Sequence, residues 1–132
     1  MFKSESYRIY VHETDAAGVV HHSNYLRFFE AGRIEFLRSI GQDYINFQTD
    51  GIGFVPIHID IRYHKPLRQD DLYQVTVNLI ELKKASFIIE QSIRCNDELM
   101  VSATIQLACV KEPAFKPTRL PNMLINALSQ SE

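Results

Sequence analysis

Thr14-Asp15-Ala16-Ala17-Gly18-Val19-Val20-His21-His22-Ser23-Asn24-Tyr25 is the stretch around which the chain is organised. Upstream of it, Tyr7, Ile9 and Val11 alternate with Arg8, Tyr10 and His12, the period-two pattern of a half-exposed strand over residues 7–11. Downstream, over residues 23–39, Tyr25, Phe28, Phe29, Gly32, Phe36 and Leu37 recur at helical spacing, while Arg27, Glu30, Arg33, Glu35 and Arg38 cover much of the rest. The quoted residues therefore form a small-residue turn between a strand and the one long helix. Ser23 or Asn24 is placed to cap that helix and Gly41 to end it. The turn sets a carboxylate, Asp15, just ahead of a helix N-terminus, where unpaired N–H groups and the positive end of the dipole gather. A carboxylate beside an anion-stabilising end is a minimal kit for acyl transfer.

Beyond the helix, residues 42–53 read as a short helical turn followed by a loop. Residues 55–63 then alternate, with Val55, Ile57, Ile59, Ile61 and Tyr63 expected on one face and Pro56, His58, Asp60 and Arg62 on the other. Pro56 belongs near the start of that strand or on an edge. A polar turn at 65–71 leads to a strand over 72–82 with Tyr73, Val75, Val77 and Leu79 inward. Residues 86–95 and 99–110 complete the set, joined by the tight Asn96-Asp97-Glu98 connection. Met100, Ser102, Thr104, Gln106 and Ala108 make a face neither oily nor strongly charged, which suggests contact with another subunit. Pro113, Pro117 and Pro121 favour extended chain, and 122–128 reads as a last short helix with Met123, Leu124 and Leu128 toward the body. The order of these elements predicts an α+β fold, one long helix packed against a five-stranded antiparallel sheet.

The 132 residues are expected to form one domain spanning 1–132. With 45% apolar residues, 23% charged residues and a formal net charge of −2, nothing calls for nucleic acid or a membrane surface as partner. No apolar run is long enough to cross a bilayer and the first residues lack a secretory h-region, so the reading is cytoplasmic. Cys95 and Cys109 fall inside strands without metal-ligand spacing and read as reduced core residues. The histidines show no HxH or HExxH pattern, so no metal is expected.

Residues 10–25, followed by Phe29-Glu30 and Arg33, resemble the signature of hotdog-fold acyl-CoA thioesterases. The similarity leans to the 4-hydroxybenzoyl-CoA thioesterase branch, and within it to the bacterial enzymes encoded with the Tol-Pal envelope system. The resemblance implies hydrolysis of an acyl- or aryl-CoA thioester to the free acid and CoA. It implies Asp15 as the catalytic carboxylate, either attacking the carbonyl to form a mixed anhydride or drawing a proton from water. Without it, Asp15 reads as a residue that caps its own turn. The backbone N–H near His22 would polarise the carbonyl, approached over Gly18 and Val19, and the His22 imidazole is a second catalytic candidate. The resemblance further implies an acyl site among Tyr25, Phe28 and Phe29, with Val55 or Ile57 across from them. Candidate cations for the CoA phosphates are Arg62, Lys65, Arg68, Lys83 and Lys84. Glu30, an i, i+3 neighbour of Arg33, is expected to pair with it and stands as an alternative acid. Val11 departs from the pattern, since many relatives carry an aromatic residue there. Dimers or tetramers with active sites at the subunit boundary are implied, and a single helix leaves sheet edges that a second copy would cover. Two other readings compete: a hotdog dehydratase using His22 with Glu30 on carrier-protein substrates, and a non-catalytic acyl-CoA binding module.

Overall fold

A computed structural model describes residues 1–131. The elements are β1 (Phe2–Lys3), β2 (Tyr7–Arg8), a 3-10 turn (Val11–Glu13), α1 (Asn24–Ser39), α2 (Tyr44–Thr49), β3 (Ile52–Tyr63), β4 (Leu72–Leu82), β5 (Ser86–Cys95), β6 (Glu98–Lys111), β7 (Lys116–Pro117) and α3 (Asn122–Gln130). The antiparallel sheet runs β1-β4-β5-β6-β3, with β2 added to β4 and β7 to β6. The sheet has seven strands rather than the five expected, because the short β1 and β7 were not foreseen, and of the strand expected over residues 7–11 only Tyr7–Arg8 forms, as β2 beside β4. Past Arg8 the chain leaves the sheet: Ile9 is fully buried, whereas Tyr7 and Val11, expected beside it, are exposed. Ser4 extends the β1 edge, its amide donating to the Val75 carbonyl at 2.8 Å and its Oγ accepting from the Val75 amide at 2.8 Å.

The inward stripe of α1 is Tyr25, Phe28, Phe29, Gly32, Phe36 and Leu37, and it lies across β4 and β5. Its closest approach is at Gly32, where a Cβ would stand 2.4 Å from Val75 Cγ1. Neither Ser23 nor Asn24 caps the helix through its side chain; Asn24 Nδ2 instead donates to the Glu13 carbonyl at 2.8 Å. Gly41 does end the helix, in the left-handed region at φ +80° that glycine adopts without a Cβ clash. The fully buried Gln91 sits in line with Phe87, Ile89 and Ile93. It donates through Nε2 to the Phe29 carbonyl at 3.0 Å and accepts from Arg33 at 3.3 Å. Burial holds the Arg33 guanidinium below its ordinary pKa, partly opposed by the charge of Glu30. The expected Glu30–Arg33 ion pair is absent among the described residues; Arg38 pairs with Glu35 at 3.4 Å instead.

The alternation expected along 55–63 is broken by a bulge between Pro56 and His58. Residues paired across strands share a face. Phe54, Ile59, Ile61 and Tyr63 are opposite Cys109, Ile105, Ala103 and Val101 and so face α1. Val55 is opposite Ala108 on the other face, and Ile57 is the bulged residue, 58% exposed. The extra residue restores the inward phase that Val55 alone would have put out of step. β3 ends the strand order, so one edge of it has no partner among the described residues, consistent with Pro56 in it. The β5–β6 turn has Asn96 and Asp97 at φ 52° and 62°, the left-handed pair of a two-residue hairpin. Met100, expected outward among polar neighbours, is buried. In α3, Leu124 and Leu128 are fully buried while Met123, also expected inward, is 72% exposed. No helix among the described residues is long and apolar enough to cross a membrane.

Candidate functional site

Two tight loops meet at the N-terminal end of α1. The first, around Asp15, closes on itself: the Asp15 amide donates to the Val19 carbonyl at 2.8 Å and the Gly18 amide to the Asp15 carbonyl at 3.0 Å. Gly18 takes φ +80° in this turn, a conformation an L side chain would resist. The second loop follows β3. Its Leu67 carbonyl accepts from the Val20 amide at 2.8 Å, and Val19 bridges to Arg68. Tyr25 ties α1 to the second loop, its hydroxyl accepting from the Leu67 amide at 3.1 Å.

Between the loops lies an open cleft lined by Asp15, Val19, Val20, His22, Tyr25, Tyr63, His64, Lys65 and Pro66. Asp15 caps its own turn, as the simple reading of such a residue expects: Oδ1 accepts from the Ala17 amide at 2.8 Å. Oδ2 has no partner among the described residues, so one carboxylate oxygen is left for the cleft. The amides along the approach to α1 are almost all taken. Val20 donates to Leu67, His21 to the Glu13 carbonyl at 3.0 Å, Ser23 to His21 Nδ1 at 3.2 Å and Asn24 to the His21 carbonyl at 2.9 Å. The His22 amide alone of residues 20–24 has no acceptor among the described residues. It stands at the helix tip, where the dipole favours negative charge. The His22 ring stacks on that of His21 with centroids 4.3 Å apart, while His21 Nδ1 is engaged with Ser23 Oγ at 2.8 Å.

Other residues singled out in the sequence fall in different places. Phe29 is fully buried in the core one turn behind Tyr25. Val55 faces away from α1, and Ile57 lies on the free edge of β3. Arg62 lies with Asp60, Glu90, Ser102 and Thr104 in a shallow polar groove on the face opposite the helix. Lys83 and Lys84 sit in the β4–β5 hairpin, beside the Phe54 end of β3, whereas the cleft is at the Tyr63 end; Lys83 is 3.4 Å from Glu81. Within one chain these two lysines do not approach Asp15. Lys65 does line the cleft and pairs with Glu98. Glu30 lines a separate, largely apolar cavity with Arg33, Tyr44, Phe54 and Leu107, so His22 and Glu30 are not brought together within the chain. Tyr63 and His64 escaped the sequence reading. Tyr63 packs on Tyr25 with ring centroids 5.6 Å apart, and His64 Nε2 bonds Ser102 Oγ at 2.9 Å. The signal for them was the end of β3 and the polar turn after it, which the Val20–Leu67 bond and the pairing of Val19 with Arg68 fold against the Asp15 loop.

The model of the thioesterase-like superfamily matches residues 9–128. The chain is 39% identical over 104 residues to a putative esterase of Aquifex aeolicus, covering 79% of this chain and 81% of that protein. It is 35% identical over 115 residues to the acyl-CoA thioesterase YbgC of Haemophilus influenzae, covering 86% and 85%. A crystal structure of a hypothetical protein from Aquifex aeolicus superposes with a TM-score of 0.90 at 35% identity, covering 97% of this chain and 99% of that one.

Proposed function

The chain belongs to the thioesterase-like superfamily, and from that premise we propose that it hydrolyses acyl- or aryl-CoA thioesters to the free acid and CoA at the cleft between Asp15 and His22. The observation that carries this reading is the pairing of two unspent groups on one cleft, Asp15 Oδ2 and the His22 N–H. Thioester hydrolysis needs both a group that attacks or activates water and a donor that meets the negative charge on the carbonyl oxygen. Asp15 serves as nucleophile or as general base; acid quenching during turnover and mass analysis separates the two, because only the nucleophile carries an acyl group on the Asp15 peptide.

The cleft is open, and Tyr63 in its lining belongs to β3, the strand at the edge that ends the sheet order. Pairing of that edge with β3 of a second copy, in a dimer or tetramer, covers the exposed Ile57, Ile59 and Tyr63 and gives the acyl group a wall. Lys65 is the cation best placed to meet CoA phosphates within the chain, while Arg62, Lys83 and Lys84 reach a CoA only across such an interface. A dehydratase reading is disfavoured because His22 and Glu30 line different cavities.

The test is thiol release, followed with a chromogenic disulfide, from acetyl-, butyryl-, lauroyl-, palmitoyl- and benzoyl-CoA. Turnover of at least one ester is expected; thermal stabilisation by these esters with no thiol release would instead establish a binding module. The role given to the His22 amide makes a separate prediction. His22→Ala keeps the N–H and is expected to retain activity within about 10-fold, whereas His22→Pro removes it and is expected to lower kcat by roughly 10²–10³-fold. Equal losses in the two variants would shift the role to the imidazole.

A further inference from the structure

The hydroxyl of Tyr25 is only half accounted for by the protein. Tyr25 is 3% exposed, and its oxygen accepts the Leu67 amide at 3.1 Å. A phenol accepts through its oxygen and donates through its proton. Among the described residues no acceptor takes that proton. Buried donors in folded proteins nearly always find a partner, and leaving one unpaired is costly. Leu67 is flanked by Pro66 and joined to Val20, and both of these line the cleft with Tyr25, Asp15 and His22. Tyr25 itself lines the cleft, and the proton of its hydroxyl is left for a ligand there.

We propose that the Tyr25 hydroxyl donates to the thioester carbonyl oxygen in the cleft, as a second donor beside the His22 amide. The inference rests on the thioesterase reading above and assigns a part in it that Tyr25 does not hold as an apolar wall residue. An oxygen that gains charge in the transition state is best met by two fixed donors, and the Tyr25 hydroxyl and the His22 amide are two donors without an acceptor on residues that line the cleft. The Leu67 amide fixes the phenol rather than competing with the substrate, since it uses the oxygen lone pair and leaves the proton free. Burial, with added contributions from Tyr63, Asp15 and Asp71, raises the Tyr25 pKa and keeps the phenol a donor at neutral pH; the Leu67 amide partly opposes this. No proton leaves Tyr25 in this role; the C–S bond breaks with its electron pair going to sulfur, and water supplies the hydroxyl to the acyl carbon and a proton to the thiol.

The test compares wild type, Tyr25→Phe and a protein carrying 3-fluorotyrosine at position 25, with butyryl-CoA and benzoyl-CoA and with urea unfolding in parallel. Tyr25→Phe is expected to lower kcat by roughly 10²-fold while KM stays within about three-fold. The fluorinated phenol keeps the Leu67 contact and is a stronger donor, so kcat is expected to rise by about two-fold at pH 7 with the unfolding midpoint unchanged. A loss in Tyr25→Phe that merely follows the unfolded fraction, or a fluorotyrosine enzyme identical to wild type, would overturn the assignment and leave Tyr25 as a structural clamp. If wild type releases thiol from neither ester while the chain is folded, the thioesterase reading fails for these acyl groups and the assignment falls with it. Activity in wild type with no kcat change in either variant sinks the Tyr25 role alone.

Discussion

Asp15→Asn is expected to lower kcat for acyl-CoA hydrolysis by about 10³-fold while leaving the protein folded. The substitution is chosen for what it keeps. Oδ1 of Asp15 accepts the Ala17 amide at 2.8 Å, and the asparagine carbonyl oxygen can accept the same bond. The turn that presents the side chain is also held by the backbone bonds of Asp15 to Val19 and of Gly18 to Asp15, which the substitution does not touch. Asp15 is exposed, so stability should change by no more than about 0.5 kcal/mol. What is lost is the charged oxygen on the cleft side, whether it attacks the carbonyl or takes a proton from water. An amide does neither at a useful rate. The measurement is steady-state thiol release beside urea unfolding of the same preparation. Wild-type kcat in a folded Asp15→Asn protein would remove the carboxylate from the chemistry and return it to its turn-capping role. Asp15→Ala is a poorer probe, because it also removes the acceptor for Ala17 and mixes loss of chemistry with loss of the loop.

The same distinction, between what a side chain does for its own turn and what it leaves over, marks how far the sequence could be read. Helix α1 was legible in the spacing of Tyr25, Phe28, Phe29, Gly32 and Phe36 because burial of one helical face leaves a strong periodic trace. Strands β4, β5 and β6 were legible for the same reason with period two. Strand β3 misled in detail, since a bulged residue shifts the phase and Ile57 looks like any other inward isoleucine. Residues 7–11 form a strand only as far as Arg8, because three apolar residues at alternate positions do not distinguish a continuing strand from a chain that tucks in one side chain, Ile9, and departs. Around the cleft, Asp15 and the start of α1 stand close together in sequence and were legible as a unit. Tyr63, at the end of β3, and His64 and Pro66, in the loop after it, come some fifty residues later, and the sheet register, the Val20–Leu67 bond and the Val19–Arg68 bridge carry them there. Val55, Lys83 and Lys84 show the converse. Their residue types suited an acyl pocket and a phosphate site, but face and strand end, which composition does not encode, place them elsewhere within the chain.

Gly32→Ala is expected to destabilise the protein by about 2 kcal/mol, although alanine is the better helix former. In an exposed helix the exchange would gain roughly 1 kcal/mol, so the predicted sign is set by the contact with the sheet. A Cβ at position 32 would lie 2.4 Å from Val75 Cγ1 and 3.0 Å from Val75 Cβ. Val75 is 1% exposed on β4, between β1 and β5, and its branched side chain is restricted at χ1, so it has little room to turn aside. The helix must lift instead, and it carries Tyr25 and the His22 amide at its start. Activity is therefore expected to fall with stability, although position 32 is two turns from the cleft. Val75→Ala alone opens a void and is expected to cost about 2 kcal/mol. Combined with Gly32→Ala, it removes Cγ1, the atom in the way, and leaves a space that the new methyl partly fills. The double variant should be more stable than the sum of the two losses by about 1–3 kcal/mol, read from urea unfolding of the four proteins. Simple additivity would mean that the helix and sheet are not in contact at this point, and that the position of the helix tip over the cleft is set elsewhere.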